Sequence, residues 1–303
     1  MNQHTQDEDE ENEEEKSYLG HGDHWEAVGI SSSEDFAQLI PLALQEGKLT
    51  GKATPPWPNP PCSEVILLEM PQGPLVIVSL LGAFPEPENV QFMSAFPLLP
   101  ETTQWVVQID NLSDSYGSIE GLIEGNLANG HNLCWFVPRF ALEVEHWKKA
   151  EFAHVAFSAL ALHLEPFKAE PIVIEGEQAE RLRRMMNVSD AHNEDDSSTP
   201  QLTFETHSLR SFFPTSHDHH EFVGKALNVR GIDPAFNLPG WIIDLECIHA
   251  EDEGKDDFTI PLYVFPSAIA QNGYIPKTGD LIHGSAWLQG SWIAPASQDD
   301  LTR

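Results

Sequence analysis

The chain has 303 residues and a mass of 33.8 kDa, and 41% of it is hydrophobic, which is room and material for one large domain or two of ordinary size. Against 48 Asp and Glu stand only 16 Lys and Arg, so the net charge is -32 and the sequence pI about 4.5, a balance that makes a nucleic-acid backbone a poor partner. No apolar run approaches the roughly 18 residues that cross a bilayer, the N-terminal segment is the opposite of a signal peptide, and Cys62, Cys134 and Cys247 are too scattered for a disulfide framework or a C-x-x-C site. The expectation is therefore a bacterial-type cytoplasmic protein with no membrane partner.

Residues 1–16 carry eight acids and one Lys, which predicts a solvated, disordered acidic tail. The segment HGDHW (21–25) follows, a turn with His21, Asp23 and His24 ahead of Trp25. SSSEDFAQLIPLALQEGKL (31–49) predicts a helix with Ser33 as its cap, interrupted by Pro41. TPPWPNPPC (54–62) reads as extended polyproline-like chain. EVILLEM and PLVIVSLLGAF lie in a stretch of 86 residues without Lys or Arg, between Lys52 and Arg139, and their β-branched content predicts buried strands.

After Gln104 the strand-length units are WVVQID, SIEGLIEG, HNLCWFVPRF and HVAFSALALHLE, punctuated by Gly117, Gly121, Gly125 and Gly130. EGEQAERLRRMM (175–186) predicts a helix closing an N-terminal α+β domain over 17–186, with Glu177 and Glu180 pairing Arg181, Arg183 and Arg184. The polar, acidic segment 187–200 reads as an interdomain linker. A second domain over 201–295 follows the same strand-and-turn pattern, with EFVGKALNVRGI, GWIIDLECIHA, DFTIPLYVF, a short helix and turn in PSAIAQNGYIPKTGD, then LIHGSAWLQGSWI, and 296–303 as a tail. The expected fold class is mainly β: two small OB-like β-barrel domains with an N-terminal helix and an interdomain helix.

Two stretches carry a resemblance. Gly117 to Leu164, with IEGLIEG, LCWFVPRF and FSALAL, and Phe222 to Ile293, with TIPLYVF, GYIPKTGD and GSAWLQGSW, are similar to the halves of an uncharacterised bacterial protein family with tandem OB-like β-barrel domains. The resemblance covers about 120 residues and implies a tandem barrel, with no activity attached. The Lys-rich, aromatic-bearing face of nucleic-acid-binding OB-folds is missing, since residues 201–303 hold 14 acids against six bases.

Histidine is the chemically suggestive residue type. SHDHHEF (216–222) offers His217, His219 and His220, with His217 and His219 on one face if the segment is a strand; imidazole and carboxylate are good donors to borderline divalent transition metals. The segment resembles the H-x-H-x-D-H motif of metallo-hydrolases but lacks its terminal Asp-His. His21 and His24 would complete a metal site if the two clusters met in space. The aromatics Trp241, Tyr263, Trp287 and Trp292 are candidate ligand-stacking residues on an open barrel face, and Trp287 and Trp292, five apart, would point to opposite faces of an uninterrupted strand. No G-x-S-x-G elbow, P-loop or dinucleotide fingerprint occurs. The leading expectation is a non-catalytic binding protein without a cofactor, its acidic surface suited to a basic protein partner. The alternatives are a metal-binding protein or metal-dependent hydrolase using the histidine clusters, and single-stranded nucleic-acid binding by fold analogy. That last alternative would need Arg210, Lys225, Arg230 and Lys277 beside exposed tryptophan.

Overall fold

The computed structural model describes residues 22–55, 62–84, 89–115, 119–185, 201–216, 218–248, 257–270 and 273–301. The acidic tail 1–16, His21, most of the proline-rich stretch, the linker 187–200 and His217 lie outside the described residues. The described chain is mainly β with few helices, as its strand-rich pattern predicts.

The first layer comprises helices α1 (Gly22–Ala27) and α2 (Ser33–Glu46) and an antiparallel meander of β1 (Lys48–Ala53), β2 (Glu64–Gln72), β3 (Leu75–Ala83) and β4 (Val90–Leu98). EVILLEM and PLVIVSLLGAF are the two central strands of this meander, separate from the larger sheet. Helix α2 is capped by Ser32, one residue before the expected cap, whose Oγ accepts from the Asp35 backbone N–H at 3.1 Å. Pro41 is accommodated inside it.

The larger sheet draws on both halves of the chain. The N-terminal half supplies β5 (Thr103–Ser115), β6 (Glu120–Leu127), β7 (Asn132–Val137), helix α3 (Phe140–Trp147) and β8 (Phe152–Pro166). A small pair, β9 (Ile172–Glu175) and β10 (Gln201–Phe204), flanks helix α4 (Glu177–Met185), where Arg184 pairs with Glu180 and Arg183 donates to the Gln201 carbonyl. The C-terminal half supplies β11 (Ser211–Ser216), β12 (His219–Ala235), β13 (Leu238–Ile248), β14 (Phe258–Val264), a single 3-10 turn (Pro266–Ala268) where a short helix was expected, and β15 (Leu281–Pro295). The expected C-terminal tail contains a helical turn, α5 (Gln298–Leu301).

The pairings form two interlocked circuits. β12, β13 and β14 run as a meander, β14 lies parallel to β8, β8 pairs antiparallel with β15, and β15 pairs back to β12. Equally, β5, β6 and β7 run as a meander, β7 lies parallel to β15, and β8 closes back onto β5. β8 and β15 therefore belong to both circuits, paired with each other over most of their length.

This sharing explains the continuous apolar runs LCWFV, FSALAL and GSAWL, because a strand buried on both faces need not alternate. On β7, Leu133, Trp135 and Val137 enter one core while Cys134 and Phe136 enter a second. On β15, Ala286 and Leu288 join the first and Trp287 the second. The second core also holds Trp25, Leu39, Val65, Leu67, Ile77 and Phe96, so it is the seam between the large sheet and the α1–α2–meander layer. Helix α3, which was not read from the sequence, buries Phe140, Ala141, Val144 and Trp147 at helical spacing.

Candidate metal centre

Helix α1 places the first two polar groups of the site. It stops where Gly29 takes a φ of +85°, a left-handed conformation that favours glycine, with the Gly29 N–H donating to the Glu26 carbonyl. Trp25 anchors the helix, its Nε1 donating to the Ala95 carbonyl at 3.1 Å. Asp23 stays at the solvent side while His24 is turned inward.

β12 places the third group. His219 is the cross-strand neighbour of Trp287 on β15, so the two share a sheet face. The His24 imidazole lies flat on the Trp287 indole, with ring centroids 3.8 Å apart and planes 8° from parallel. That stack brings His24 Nε2 to 3.0 Å from His219 Nε2. The Asp23 carboxylate straddles the pair, with Oδ1 3.6 Å from His24 Nε2 and Oδ2 3.4 Å from His219 Nε2. Side-chain exposure grades from 3% at His24 through 28% at His219 to 53% at Asp23, so the group opens toward solvent on the Asp23 side.

The segment preceding His219 is held from beneath. Asp218 is buried; its Oδ2 accepts from Trp287 Nε1 at 2.5 Å and its carbonyl accepts from the Leu288 N–H at 3.0 Å. Strand alternation sends His220 inward, where it stacks on Phe212 with centroids 4.5 Å apart. Its Nε2 accepts from the Cys134 N–H at 3.5 Å, which leaves Nδ1 to donate to the Asp218 carbonyl at 3.3 Å. Burial pushes the His220 imidazole down to about 3, so it is neutral and both its nitrogens face protein groups.

Of the five histidines singled out in the sequence, the structure brings together His24 and His219, directs His220 into the core, and leaves His21 and His217 outside the described residues. Asp23 completes the group; its place in HGDHW beside His24 was the available signal. The donor atoms of Asp23, His24 and His219 all lie within 4.8 Å of one another.

The aromatic candidates do not form one face. Tyr263 and Trp287 are 1% and 0% exposed, and neither ring offers a face to an outside ligand. The Tyr263 hydroxyl accepts from the Glu101 N–H. Trp241 and Trp292 are partly buried against the first core, and Trp292 stacks on His146 and meets Trp147 edge-on. Trp287 and Trp292 do occupy opposite faces of β15, whose irregularities, at Ser285/Ala286 and Trp292/Ala294, fall outside the interval between them. Arg210 is bound to Glu246 at 2.8 Å and Arg230 to Glu101, so two of the four cations considered for nucleic acid are committed to carboxylates. Among the described residues no helix is long and apolar enough to cross a membrane.

No family model matches the chain, and no curated protein or solved structure matches it either.

Proposed function

We propose that this chain is a metal-binding protein that holds one divalent transition-metal ion between Asp23, His24 and His219. The observation that carries the reading is the spacing of the donors. Bonds of about 2.0–2.1 Å to a tetrahedral ion separate its donor atoms by roughly 3.3–3.4 Å. Here the two nitrogens stand 3.0 Å apart and each has its own Asp23 oxygen nearby, Oδ2 3.4 Å from His219 Nε2 and Oδ1 3.6 Å from His24 Nε2, with one donor from each residue within 4.8 Å of the other two. Two imidazoles and a carboxylate suit zinc, cobalt, nickel or iron(II) better than the harder calcium or magnesium. Three protein donors with a solvent-facing side leave room for water or an external ligand on the ion.

The test is elemental analysis by plasma mass spectrometry on untagged protein prepared without chelator or nickel resin, then loaded with zinc and desalted. Asp23→Ala and His219→Ala, both at the open side, are expected to lose one equivalent relative to the parent chain. Equal metal content in parent and variants overturns the reading.

Two further readings accompany it. We read the two five-strand circuits as OB-like β-barrels; their support is the return of each circuit on itself, β15 to β12 in one and β8 to β5 in the other. The net charge of -32 supports a basic protein as the partner of a cytoplasmic chain. Such a complex weakens steeply with salt, and association indifferent to ionic strength overturns that assignment.

A further inference from the structure

A second group of metal-ligating side chains lies on the two shared strands, remote in sequence from Asp23 and His24. His163 and Glu165 are two apart on β8 and project from one sheet face. His283 on β15 pairs directly with Glu165, so it stands on that same face. The Glu165 carboxylate sits between the two imidazoles, Oε1 3.2 Å from His163 Nε2 and Oε2 3.8 Å from His283 Nε2. All three side chains are between 40% and 49% exposed. Gly284 is what lets the strands close here: a Cβ at that position would stand 1.9 Å from the His163 carbonyl oxygen. Glu165 and His283 also line an open cavity of about 580 Å³, together with Pro166, Phe167, Lys168 and Ala270.

From this juxtaposition we propose a second divalent transition-metal site, formed by His163, Glu165 and His283. A His-x-Glu pair on one strand and a His across from it on the next present two imidazoles and one carboxylate from a single face. That donor set leaves the opposite side of an ion open, as in the facial two-His, one-carboxylate arrangement. The β8–β15 ladder fixes the three Cα positions; unlike those of the first site, the three donors as they stand are not all within 4.8 Å of one another, and the half-exposed side chains close on the ion by rotating about their own bonds. The cavity gives solvent access to it. This site is independent of the one at Asp23, His24 and His219.

Cobalt(II) titration followed by visible absorption and by equilibrium dialysis tests it. The Asp23→Ala/His219→Ala chain removes the first site and is expected to bind one cobalt(II) per chain. Adding His163→Ala and His283→Ala to that background is expected to abolish the remaining equivalent with thermal unfolding unchanged, and Glu165→Gln alone to weaken it at least tenfold. The proposal is overturned if the Asp23→Ala/His219→Ala chain binds no cobalt(II), or if its bound equivalent survives loss of both His163 and His283. Failure of the first site is read separately, as equal binding by the parent and Asp23→Ala/His219→Ala chains.

Discussion

His24 lies flat against Trp287, ring centroids 3.8 Å apart, and Trp287 is itself the cross-strand partner of His219. One indole thus fixes the position of two imidazoles that are 195 residues apart in the chain. The same indole donates to buried Asp218, immediately before His219. Trp287→Phe preserves an aromatic face for His24 but removes the indole N–H that the Asp218 carboxylate accepts. We expect a loss of about 1–3 kcal/mol in chemical denaturation and a severalfold weaker zinc affinity by competition titration. Unchanged zinc affinity in a folded variant would show that the Asp218 contact does not position His219.

Glu143 on α3 is a half-buried acid outside either proposed site. Burial pushes its carboxyl up to about 7 from 4.5, although the Trp292 N–H, the Trp147 indole N–H and nearby Arg139 favour the charged form. The folded chain therefore keeps a proton that the unfolded chain has released between these values. Its stabilisation is fully present below about pH 4.5 and is lost as pH rises through about 7. Both hydrogen bonds reach the same oxygen, Oε2, so the amide of Glu143→Gln can accept them through its own oxygen. We expect the variant to be more stable than the parent at pH 8 by about 1–3 kcal/mol and level with it at pH 4.5, measured by urea denaturation across that range. A difference independent of pH removes Glu143 as the titrating group.

Gln289 clamps the end of the meander onto a shared strand. Its Oε1 accepts from the Leu99 N–H at 3.1 Å and its Nε2 donates to the Pro97 carbonyl at 2.7 Å, both in the interior. Neighbouring Ser158, its cross-strand partner, donates to the Leu99 carbonyl at 3.3 Å. Gln289→Leu keeps the bulk and strands two buried backbone groups, which we expect to cost about 1–3 kcal/mol for each. Denaturation of Ser158→Ala, Gln289→Leu and the double variant should show coupling between the two positions; strict additivity would place them in separate networks.

The reciprocal use of β8 and β15 makes each half of the large sheet depend on the other. A fragment of residues 201–303 lacks β8, which removes one neighbour of β14 and the partner of most of β15. Unpaired strand edges of this length favour aggregation over folding. We expect the fragment alone to give a collapsed amide spectrum by nuclear magnetic resonance, and addition of the fragment 1–200 to restore dispersion. A well-dispersed spectrum of 201–303 alone would make the C-terminal half an autonomous domain.

Local pattern was enough for much of this protein. The runs around Val65 and Ile77 had to be strands because β-branched side chains at those densities fit a buried pleated surface. Residues 33–46 and 177–185 had to be helical because Ser caps and Glu-to-Arg spacing satisfy a helix and little else. Trp287 and Trp292 face opposite sides of β15 because five is an odd number of residues and the strand pairing carries no register shift between them. Helix α3 was legible too, in the spacing of Phe140, Val144 and Trp147, but the apolar run leading into it masked the change from a two-residue to a helical period. Which histidines would meet was beyond any local window. HGDHW and SHDHHEF advertise five imidazoles, and nothing in either segment distinguishes His219 from His220. That choice was made by the register of β12 against β15, which sets His219 beside Trp287 and sends its neighbour inward. Register is a property of two strands more than forty residues apart, fixed by which faces the two cores bury. For the same reason the sequence suggested two separate barrels where the tertiary structure interlocks two circuits through β8 and β15: each apolar run records that it is buried on both faces, and only packing decides against what.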